Sequence, residues 1–347
     1  MAPGSFVGKS VLITGASSGI GREAAVEFAT AGANVILVAR RRKALAETAA
    51  RAGKSGARIL IAPADVTKPA AIAGCFRKAI AEFGGVDIVI NNAGVVVPGR
   101  VANLRASDLQ AMLDVNLFGA LHVMQEAVRR MRAGSGGHIV NVASLAGRRG
   151  FSPLGGYSAT KFALIGLTEA LRTDLVGEPI HVSLILPGIV DTPMATAVQG
   201  KPGAGELWPR ALNLPPSWVV KAMFLAIRFR LTEVAVPPGA ALLEKLASLA
   251  PGVPDAVLIG PRRVDPRLLL SGNPPRQRAL AARAAERDLR APADRTRRPR
   301  TVGSELLRRS APPRPAWSRA ARGAGSCRRS TSAGRFGTRC ISASCSR

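Results

Sequence analysis

The sequence predicts an α/β fold: a doubly wound parallel sheet of about seven strands in a single domain, followed by a disordered basic tail. Short apolar segments rich in β-branched residues alternate with helical patterns from residue 11 to about residue 250. These segments are apolar at successive positions, as expected for strands whose two faces are both covered by helices. Beyond residue 260 the composition changes and the alternation stops.

The extents of the predicted elements follow from the apolar runs and the turn residues between them. About 250 residues are enough for one large hydrophobic core, so residues 1–260 are predicted to form one domain and residues 261–347 a separate tail. Ser107 is predicted to be a helix N-cap. The predicted strands are 11–14, 34–39, 58–64, 86–90, 138–142, 181–186 and 233–236, and the longest predicted helices are 107–131, 157–175 and 217–229.

A glycine-rich turn joins the first strand to the first helix. Residues 11–14 (VLIT) run into residues 15–21 (GASSGIG), and a helical pattern follows. Backbone N–H groups and the helix dipole make such a turn a site for an anion, and the glycines let the backbone approach a pyrophosphate. The glycine order is GxxxGxG rather than GxGxxG. A tight strand–helix turn without a ligand is the alternative.

The second strand ends in basic residues. An NAD-type ribose site has an acidic residue roughly 20 positions beyond the glycines, but here Arg40 follows the strand and begins the run Arg-Arg-Arg-Lys. A guanidinium suits a 2′-phosphate by its charge and its fork of donors, and Arg22 can add to the same charge. This pattern favours NADP(H) over NAD(H). The alternative is a solvated helix start, although cations are mildly unfavourable there.

Several polar residues directly follow predicted strands. Asp65 follows the third strand, residues 91–94 (NNAG) the fourth, and Ser144 the fifth. Ligands bind at the carboxyl edge of an open α/β sheet, so these residues are expected to meet there, with Pro187 and Gly188 after the sixth strand. Asp65 can accept a hydrogen bond from an adenine amine or cap the following helix. The two asparagines can organise a site or form a turn.

Tyr157 and Lys161 are four residues apart, and Ser144 lies 13 residues before the tyrosine. On a helix, positions i and i+4 share a face, about 6 Å apart along the axis. An ammonium there lowers the pKa of a phenol from its usual ~10, which suits proton exchange with an alcohol oxygen. Ser144 can donate a hydrogen bond to that oxygen. A surface Tyr–Lys pair on an ordinary helix is the alternative.

Together these motifs resemble the short-chain dehydrogenase/reductase family over residues 5 to about 240. They occur in that family's order, and several of them are specific to it. Ala143 departs from the pattern by replacing a common serine, which should be tolerated because only Ser144 reaches substrate. The matching pieces are residues 14–21 (TGASSGIG), Asp65, Val66, residues 91–94 (NNAG), Asn116, Ser144, Tyr157, Lys161, Pro187, Gly188 and Thr192.

The resemblance implies a Rossmann-like seven-stranded sheet and hydride transfer from a nicotinamide. Tyr157 would be the general acid in reduction and the base in oxidation. Lys161 would lower its pKa and bind the nicotinamide ribose, while Ser144 would orient the substrate oxygen. Asn116 would hold a water that relays protons through Lys161, and Thr192 would contact the nicotinamide amide or a phosphate. The implied cofactor-binding set is Gly15, Ser17, Ser18, Gly19, Ile20, Gly21, Arg22, Arg40, Asp65, Val66, Asn92, Ala93, Gly94, Tyr157, Lys161, Pro187, Gly188, Val190 and Thr192.

Residues 189–216 are expected to lie over the substrate. The segment is fairly apolar, and its glycines can act as hinges. A hydrophobic ketone or secondary alcohol is therefore expected, although these residues can equally be plain packing. The large apolar residues of the segment are Met194, Val198, Leu207, Trp208, Leu212 and Leu214. The predicted substrate contacts are Ser144, Phe151, Leu154, Tyr157 and Met194.

The histidines and cysteines predict neither a metal site nor a disulfide framework. His122, His138 and His181 lack metal-ligand spacing and are expected to be structural, and Cys75 is expected in the core. The other three cysteines lie in the last 21 residues without a CxxC. No signal peptide or transmembrane-length run is visible, so a soluble cytoplasmic protein is expected. Relatives of this kind are usually dimers or tetramers.

The tail has a different composition from the rest of the chain. Residues 261–347 carry 22 arginines, no lysines and five acidic residues, so most of the formal net charge of +27 lies in them. Such a segment cannot bury enough apolar surface to fold, and disorder is expected. A basic arm can bind nucleic acid or anionic lipid, so the alternative function is an idle reductase fold that binds nucleic acid or acts as a scaffold. The arginine bias also resembles translation past a shifted reading frame, which would leave the tail without function.

Overall fold

The computed structural model describes residues 5–200 and 213–240, and these residues contain a seven-stranded sheet. The strands are β1 (Ser10–Thr14), β2 (Asn34–Ala39), β3 (Ile59–Pro63), β4 (Ile88–Asn91), β5 (Gly137–Val142), β6 (Ile180–Pro187) and β7 (Glu233–Val236). The order in the sheet is β3-β2-β1-β4-β5-β6-β7, and all neighbouring strands pair in parallel. The predicted doubly wound parallel sheet is therefore confirmed.

Helices cover both faces of the sheet. In the described residues they are α1 (Gly19–Thr30), α2 (Arg42–Ala52), α3 (Pro69–Phe83), α4 (Ala106–Leu113), α5 (Ala120–Arg132), α6 (Gly155–Asp174), α7 (Pro193–Gln199) and α8 (Pro216–Phe229). Helices α1, α2 and α8 pack on one face, whereas α3, α5 and α6 pack on the other. Each helix therefore buries one apolar face against strands that are themselves covered on both sides.

The two helical layers enclose two hydrophobic cores that the strands separate. Successive side chains of a strand point to opposite faces, so Val11 and Ile13 of β1 enter one core and Leu12 enters the other. All three are fully buried. The first core also joins α1 to α8 through Phe28 and Phe224, whose ring centroids are 4.6 Å apart in an edge-to-face arrangement.

The predicted helix 107–131 is a composite of three segments. Its extent is close to the observed one, but residues Asp114–Gly119 form a π turn between α4 and α5. The prediction of Ser107 as an N-cap is wrong, because Arg105 occupies that position. The guanidinium of Arg105 pairs with Asp108 in the first turn, with Nε 2.8 Å from Oδ2, and an acidic residue is favourable there. A π turn adds one residue to a turn, which the apolar periodicity did not reveal.

The carboxyl ends of β1 and β4 lie side by side at the centre of the sheet. From this point the strand order runs outward to β3 on one side and to β7 on the other, which opens a crevice between the two halves. The polar residues that follow the strands meet at this edge, as predicted. Asp65 lies just beyond β3, Asn92 beyond β4, Ser144 beyond β5 and Gly188 beyond β6.

The residues expected to be structural have structural partners. His138 on β5 pairs in register with His181 on β6 and is only 5% exposed. Its Nε2 lies 2.8 Å from Ser183 Oγ. Burial lowers the pKa of His138 to about 4, and His181 and Arg230 act in the same direction. Cys75 is buried on α3. Within residues 5–200 and 213–240, no three His, Cys, Asp or Glu side chains are grouped so that they could hold a metal ion.

Some predictions fall outside the described residues. These are the tail beyond residue 260 and, within the segment expected over the substrate, Leu207, Trp208 and Leu212. Among the helices that the structure describes, none has both the length and the apolar character needed to cross a bilayer.

We predict that His138→Gln makes the protein less sensitive to acid. The folded-state pKa of about 4 lies below the ordinary 6.5, so between these values the unfolded chain binds more protons. Stability is therefore lost as the pH falls from 6.5 towards 4, by roughly 3 kcal/mol in total. Above this window the ring is neutral in both states and contributes no pH dependence. Urea unfolding from neutral to acid pH measures the difference.

Ser183→Ala is the matched control, since it removes the partner of the ring but keeps the titrating group. It should lose stability in acid as the parent protein does. An equal acid-induced loss in His138→Gln and the parent would contradict the assignment.

Candidate active site

The glycine turn after β1 folds back onto the residues that follow β4. Gly15 and Gly19 have φ angles of +69° and +53°, which glycine adopts without strain. A Cβ on Gly21 would lie 2.6 Å from Asn92 Nδ2, and one on Gly19 would lie 3.0 Å from Thr192 Cγ2. There is thus no room for a side chain at Gly19 or Gly21, and the N–H groups of the turn lie at the start of α1, where an anion is favoured.

Thr14, the last residue of β1, joins the ends of the two central strands. Its Oγ1 accepts hydrogen bonds from the backbone N–H groups of Asn92 and Ala93, each at 3.0 Å. The Asn92 side chain returns a bond from Nδ2 to the Thr14 carbonyl oxygen at 3.1 Å. Thr14 is fully buried, so these bonds hold the crevice open in a fixed shape.

A cavity of about 290 Å³ runs from the glycine turn along the ends of β2 and β3. Arg40 and Arg41 line it with Asp65. Asp65 Oδ1 accepts bonds from the backbone N and the Oγ1 of Thr67, at 3.0 and 2.9 Å. The backbone bond chiefly lowers the pKa of this carboxyl, and Arg40 lowers it further. Lys68 occupies the N-cap position of α3, so the alternative of Asp65 as the helix cap is not found.

Most of the predicted cofactor residues line this cavity. Gly21 lies behind the turn, where its missing side chain allows the turn to close. The predicted residues on the cavity wall are Gly15, Ser17, Ser18, Gly19, Ile20, Arg40, Asp65, Val66, Asn92, Ala93, Gly94 and Thr192.

Arg22 stabilises the glycine turn by a hydrogen bond to its backbone, from outside the cavity. Its Nη2 donates to the Ser17 carbonyl oxygen at 2.6 Å, and its Nε donates to Thr48 Oγ1 at 3.3 Å. Its guanidinium also lies 3.6 Å from Glu47 Oε2. Arg22 lines a neighbouring surface cavity, with Arg41, rather than the cavity of about 290 Å³. Its contacts in this structure are therefore with the turn and with α2.

Tyr157, Lys161 and Ser144 come together at the carboxyl edge of β5. The two helix residues share a face in the first two turns of α6, with Lys161 Nζ 5.7 Å from the centroid of the Tyr157 ring. The Ser144 hydroxyl hydrogen-bonds to the Tyr157 phenol and lies 3.3 Å from the Pro187 carbonyl oxygen. Lys161 is buried, and its Nζ donates to the Val142 carbonyl oxygen at 3.0 Å.

Burial decides the protonation of this pair. Burial raises the pKa of Tyr157 to about 12, and the hydrogen bond with Ser144 opposes the rise. Burial also lowers the pKa of Lys161 to about 8. The prediction that the pKa of the phenol lies below its usual value is therefore wrong, because burial raises it. The spacing placed the ammonium on the correct face, but the loss of water around the buried ring sets the direction of the shift.

Asn116 lies in the π turn and is fully buried. Its Oδ1 accepts from the Val95 N–H at 2.7 Å, and its Nδ2 donates to the Val95 carbonyl oxygen at 2.9 Å and to Thr160 Oγ1 at 3.0 Å. Thr160 in turn donates to the Tyr157 carbonyl oxygen at 2.8 Å. Asn116 thus ties the loop after β4 to α6, with both polar atoms of its side chain engaged. π turns recur at functional sites.

A second cavity, of about 400 Å³, holds the Ser144–Tyr157–Lys161 group at one end. The predicted substrate contacts Phe151, Leu154 and Met194 line it too. Pro187, Gly188 and Val190 of the predicted cofactor set also lie on its wall. It borders the first cavity at Ile20, Asn92, Gly94, Thr192 and Met194, which line both.

The sequence did not single out several wall residues of this second cavity. Leu145 and Ala146 follow Ser144 directly, so their position after β5 was a usable signal. Arg41, on the first cavity, follows Arg40 in the same way. The others come from distant parts of the chain and carry no local motif. The wall residues of the second cavity that sequence reasoning missed include Val96, Leu145, Ala146, Gln199 and Pro237.

Helix α7 forms one wall, and the segment containing it is anchored at both ends. Asp191 N donates to the Leu214 carbonyl oxygen at 2.9 Å, and Leu214 N donates to the Ile189 carbonyl oxygen at 2.8 Å. Farther along, the side-chain amides of Gln199 and Asn213 pair at 2.9 Å. The described residues of the predicted segment 189–216 that line this cavity include Ile189, Val190, Met194, Val198 and Leu214, and the position of the whole segment over a substrate stays a prediction.

Comparison with known proteins gives a consistent result. The family model described as short chain dehydrogenase matches residues 9–202. The ketoacyl reductase HetN from Nostoc sp. (strain PCC 7120) is 34% identical over 231 residues, which cover 67% of this chain and 79% of the relative.

Solved structures show the same similarity. A short-chain dehydrogenase/reductase from Burkholderia phymatum in complex with NAD has a TM-score of 0.65 at 28% identity, and the match covers 75% of this chain and 98% of that one. The actinorhodin polyketide ketoreductase with NADPH has a TM-score of 0.63 at 28% identity, with 69% and 99% covered. The two structures thus contain different nicotinamide cofactors.

We predict that Gly21→Ala destabilises the protein by about 2 kcal/mol and weakens nucleotide binding at least tenfold. The added methyl group would meet Asn92 Nδ2 and the Gly15 carbonyl oxygen, so the turn would have to shift. Urea unfolding and calorimetric titration with NADP⁺ measure the two effects. Gly166→Ala is the control, because that helical position has open space around it and alanine should be neutral or stabilising there. Unchanged nucleotide affinity in Gly21→Ala would contradict the account of the turn.

Proposed function

The chain belongs to the short-chain dehydrogenase family, and on this premise we propose that it transfers hydride between NADP(H) and an apolar ketone or secondary alcohol, with Tyr157 as the general acid and base. One observation carries the proposal. The Tyr157 phenol, hydrogen-bonded to Ser144 and backed by Lys161, faces a mostly apolar cavity that adjoins the groove at the glycine turn. An oxidoreductase of this kind needs that adjacency, because hydride and proton must reach neighbouring atoms of one substrate.

The residues present fit a dinucleotide. The glycine turn lines the nucleotide cavity with Gly15, Ser17, Ser18 and Gly19, and α1 begins at Gly19 in the same turn. When bound, the nicotinamide supplies or accepts the hydride. Asp65 and Val66 would hold the adenine end, and Thr192 and Lys161 the nicotinamide end. Pro187, Gly188 and Val190 would line the nicotinamide side of the second cavity.

Tyr157 would donate its phenolic proton to the carbonyl oxygen during reduction. A phenol with a raised pKa is fully protonated at neutral pH, so the acid is present, but a high pKa also makes it a weak donor. Ser144 would stabilise the developing alkoxide and the phenolate by hydrogen bonding. Lys161, held by Val142, would stabilise the phenolate that remains. Since the side chain of Asn116 is engaged, a proton relay through it would use its backbone.

Arg40 and Arg41 favour NADP(H) over NAD(H). Both residues line the nucleotide cavity, and both are exposed directly before α2. No acidic side chain occupies the end of β2, where a ribose 2′-hydroxyl would need one. Arg22 supports the same site indirectly, by fixing the carbonyl of Ser17 within the turn.

The substrate class follows from the described walls of the second cavity. Phe151, Leu154, Met194 and Val198 give it an apolar surface, and Lys161 is the one charged side chain among the described residues that line it. A neutral, apolar carbonyl compound therefore fits better than a charged one. The division at residue 260, the cytoplasmic location and a dimeric or tetrameric assembly remain predictions.

We predict that Tyr157→Phe lowers kcat for ketone reduction by a factor of about 10² to 10⁴, while the dissociation constant of NADPH changes less than about threefold. The variant removes the proton donor but keeps the ring. Loss of NADPH absorbance with a panel of apolar ketones measures turnover, and fluorescence titration measures cofactor binding. Turnover close to that of the parent would refute Tyr157 as the acid.

We also predict that Arg40→Asp reverses part of the cofactor preference. A charge-assisted hydrogen bond to a 2′-phosphate contributes about 1.5–3 kcal/mol, so the ratio of kcat/KM for NADPH over NADH should fall at least about tenfold. Arg42→Asp is the control, because it makes the same charge change at a residue that does not line the nucleotide cavity. Equal shifts in both variants would show a long-range charge effect rather than a phosphate contact.

A further inference from the structure

Arg148 links three parts of the fold through one guanidinium group. It follows directly after the short helical turn Leu145–Gly147, which begins at Ser144. Its Nη2 lies 2.9 Å from Glu169 Oε1 on α6 and also contacts Glu233 Oε2 at the start of β7. Its side chain is 27% exposed, so solvent screens these ion pairs only in part. Neither the family motifs nor the cavity walls include Arg148.

The turn that Arg148 ends is pressed against the catalytic helix. A Cβ on Gly147 would lie 2.8 Å from the Lys161 carbonyl carbon and 2.7 Å from Ile165 Cδ1, so backbone meets backbone at the position of the catalytic lysine. At the other end of the turn, a Cβ on Gly188 would lie 3.5 Å from Leu145 Cδ1. The turn therefore packs against both α6 and the end of β6.

Resting on the proposed function, we propose that Arg148 is a positioning residue for catalysis, which holds the Ser144 turn against α6 and so keeps the Ser144 hydroxyl on the Tyr157 phenol. Ser144 follows the end of β5, so the sheet holds the backbone that precedes it, and the turn contributes the bonds at its side chain and its carbonyl oxygen. Its Oγ accepts from Ala146 N at 3.1 Å, within the turn, and lies 3.3 Å from the Pro187 carbonyl oxygen. If the turn lifts from α6, the serine moves with it.

The effect of Arg148 on Tyr157 is distinguishable from a loss of stability. The hydrogen bond from Ser144 lowers the pKa of the phenol against the effect of burial. Without the positioned serine, the phenolate forms at higher pH. A residue that only stabilised the fold would reduce the amount of folded protein and leave this titration where it was.

Tyr157 is the only tyrosine of the chain, so its ionisation can be followed directly. The experiment uses the full chain saturated with NADP⁺ and follows phenolate absorbance in the ultraviolet against pH. We expect Arg148→Gln to move the titration to higher pH and to lower kcat for ketone reduction about tenfold, with KM for NADPH unchanged. Ser144→Ala should move the titration in the same direction. An unmoved titration in Arg148→Gln would overturn the proposal.

Arg132→Gln is the matched control. It breaks a two-bond ion pair with Glu178, at 2.7 and 2.6 Å, on a part of the surface away from the catalytic residues. It should leave the Tyr157 titration and kcat unchanged. A shift in this control equal to that in Arg148→Gln would also overturn the proposal, because any lost ion pair would then suffice.

Two further variants guard against misfolding. Glu233→Gln keeps the contact of Arg148 with Glu169 and should give a smaller shift than Arg148→Gln. The exchange Arg148→Glu with Glu233→Arg restores the ion pair between these two positions. Its kcat should therefore be higher than that of Arg148→Glu alone, and an equal kcat would count against positioning.

If the parent protein reduced no ketone, the proposed function would fail, whereas the phenol titration would still test the role of Arg148.

Discussion

The fold depends on the bond network at Thr14, where the two halves of the sheet meet. A parallel sheet that is wound outward from its centre leaves the ends of β1 and β4 without covering helices, so their backbone groups need other partners. Thr14 Oγ1 accepts two of the exposed N–H groups, and Asn92 returns a bond to the Thr14 carbonyl. The glycine turn then closes over Asn92. The crevice at the sheet edge thus forms where these backbone groups find their hydrogen-bond partners. The groove proposed for the cofactor is the surface of this crevice.

The catalytic pair shows why charge and burial must be considered together. Burial pushes Tyr157 and Lys161 in opposite directions on the pH scale, and in both cases towards the neutral form. Burial therefore disfavours a phenolate at this site. An oxidised nicotinamide carries a positive charge, which would favour the phenolate when bound nearby. Acid–base catalysis by Tyr157 would then depend on cofactor binding. The hydrogen bond with Ser144 would determine how far the cofactor must lower the pKa of the phenol.

The parallel strands, the glycine turn and the shared face of Tyr157 and Lys161 could be predicted because each follows from a local pattern. Apolar runs specify buried parallel strands, and a four-residue interval specifies a shared helix face. The direction of the Tyr157 pKa shift could not be predicted, since it depends on how much water the folded chain excludes. The π turn at Asn116 was missed because one extra residue does not disturb the apolar pattern. The contacts of Arg148 with Glu169 and Glu233 span 21 and 85 residues and leave no trace in the sequence.

The wall of the substrate cavity is built differently from the catalytic edge. Tyr157, Ser144 and Lys161 are held by β5 and α6, which pack in the core, whereas α7 belongs to a segment whose two ends pair with each other through the bridge between Val190 and Leu214. Loops anchored at closely spaced ends tolerate changes in length and sequence at little cost in free energy. Changes between these anchors would alter the apolar wall while leaving the proton donor in place. The part of the substrate preference that depends on α7 should therefore be separable by mutation from the chemistry, whereas Phe151 and Leu154 line the same cavity beside the catalytic residues, at the start of α6.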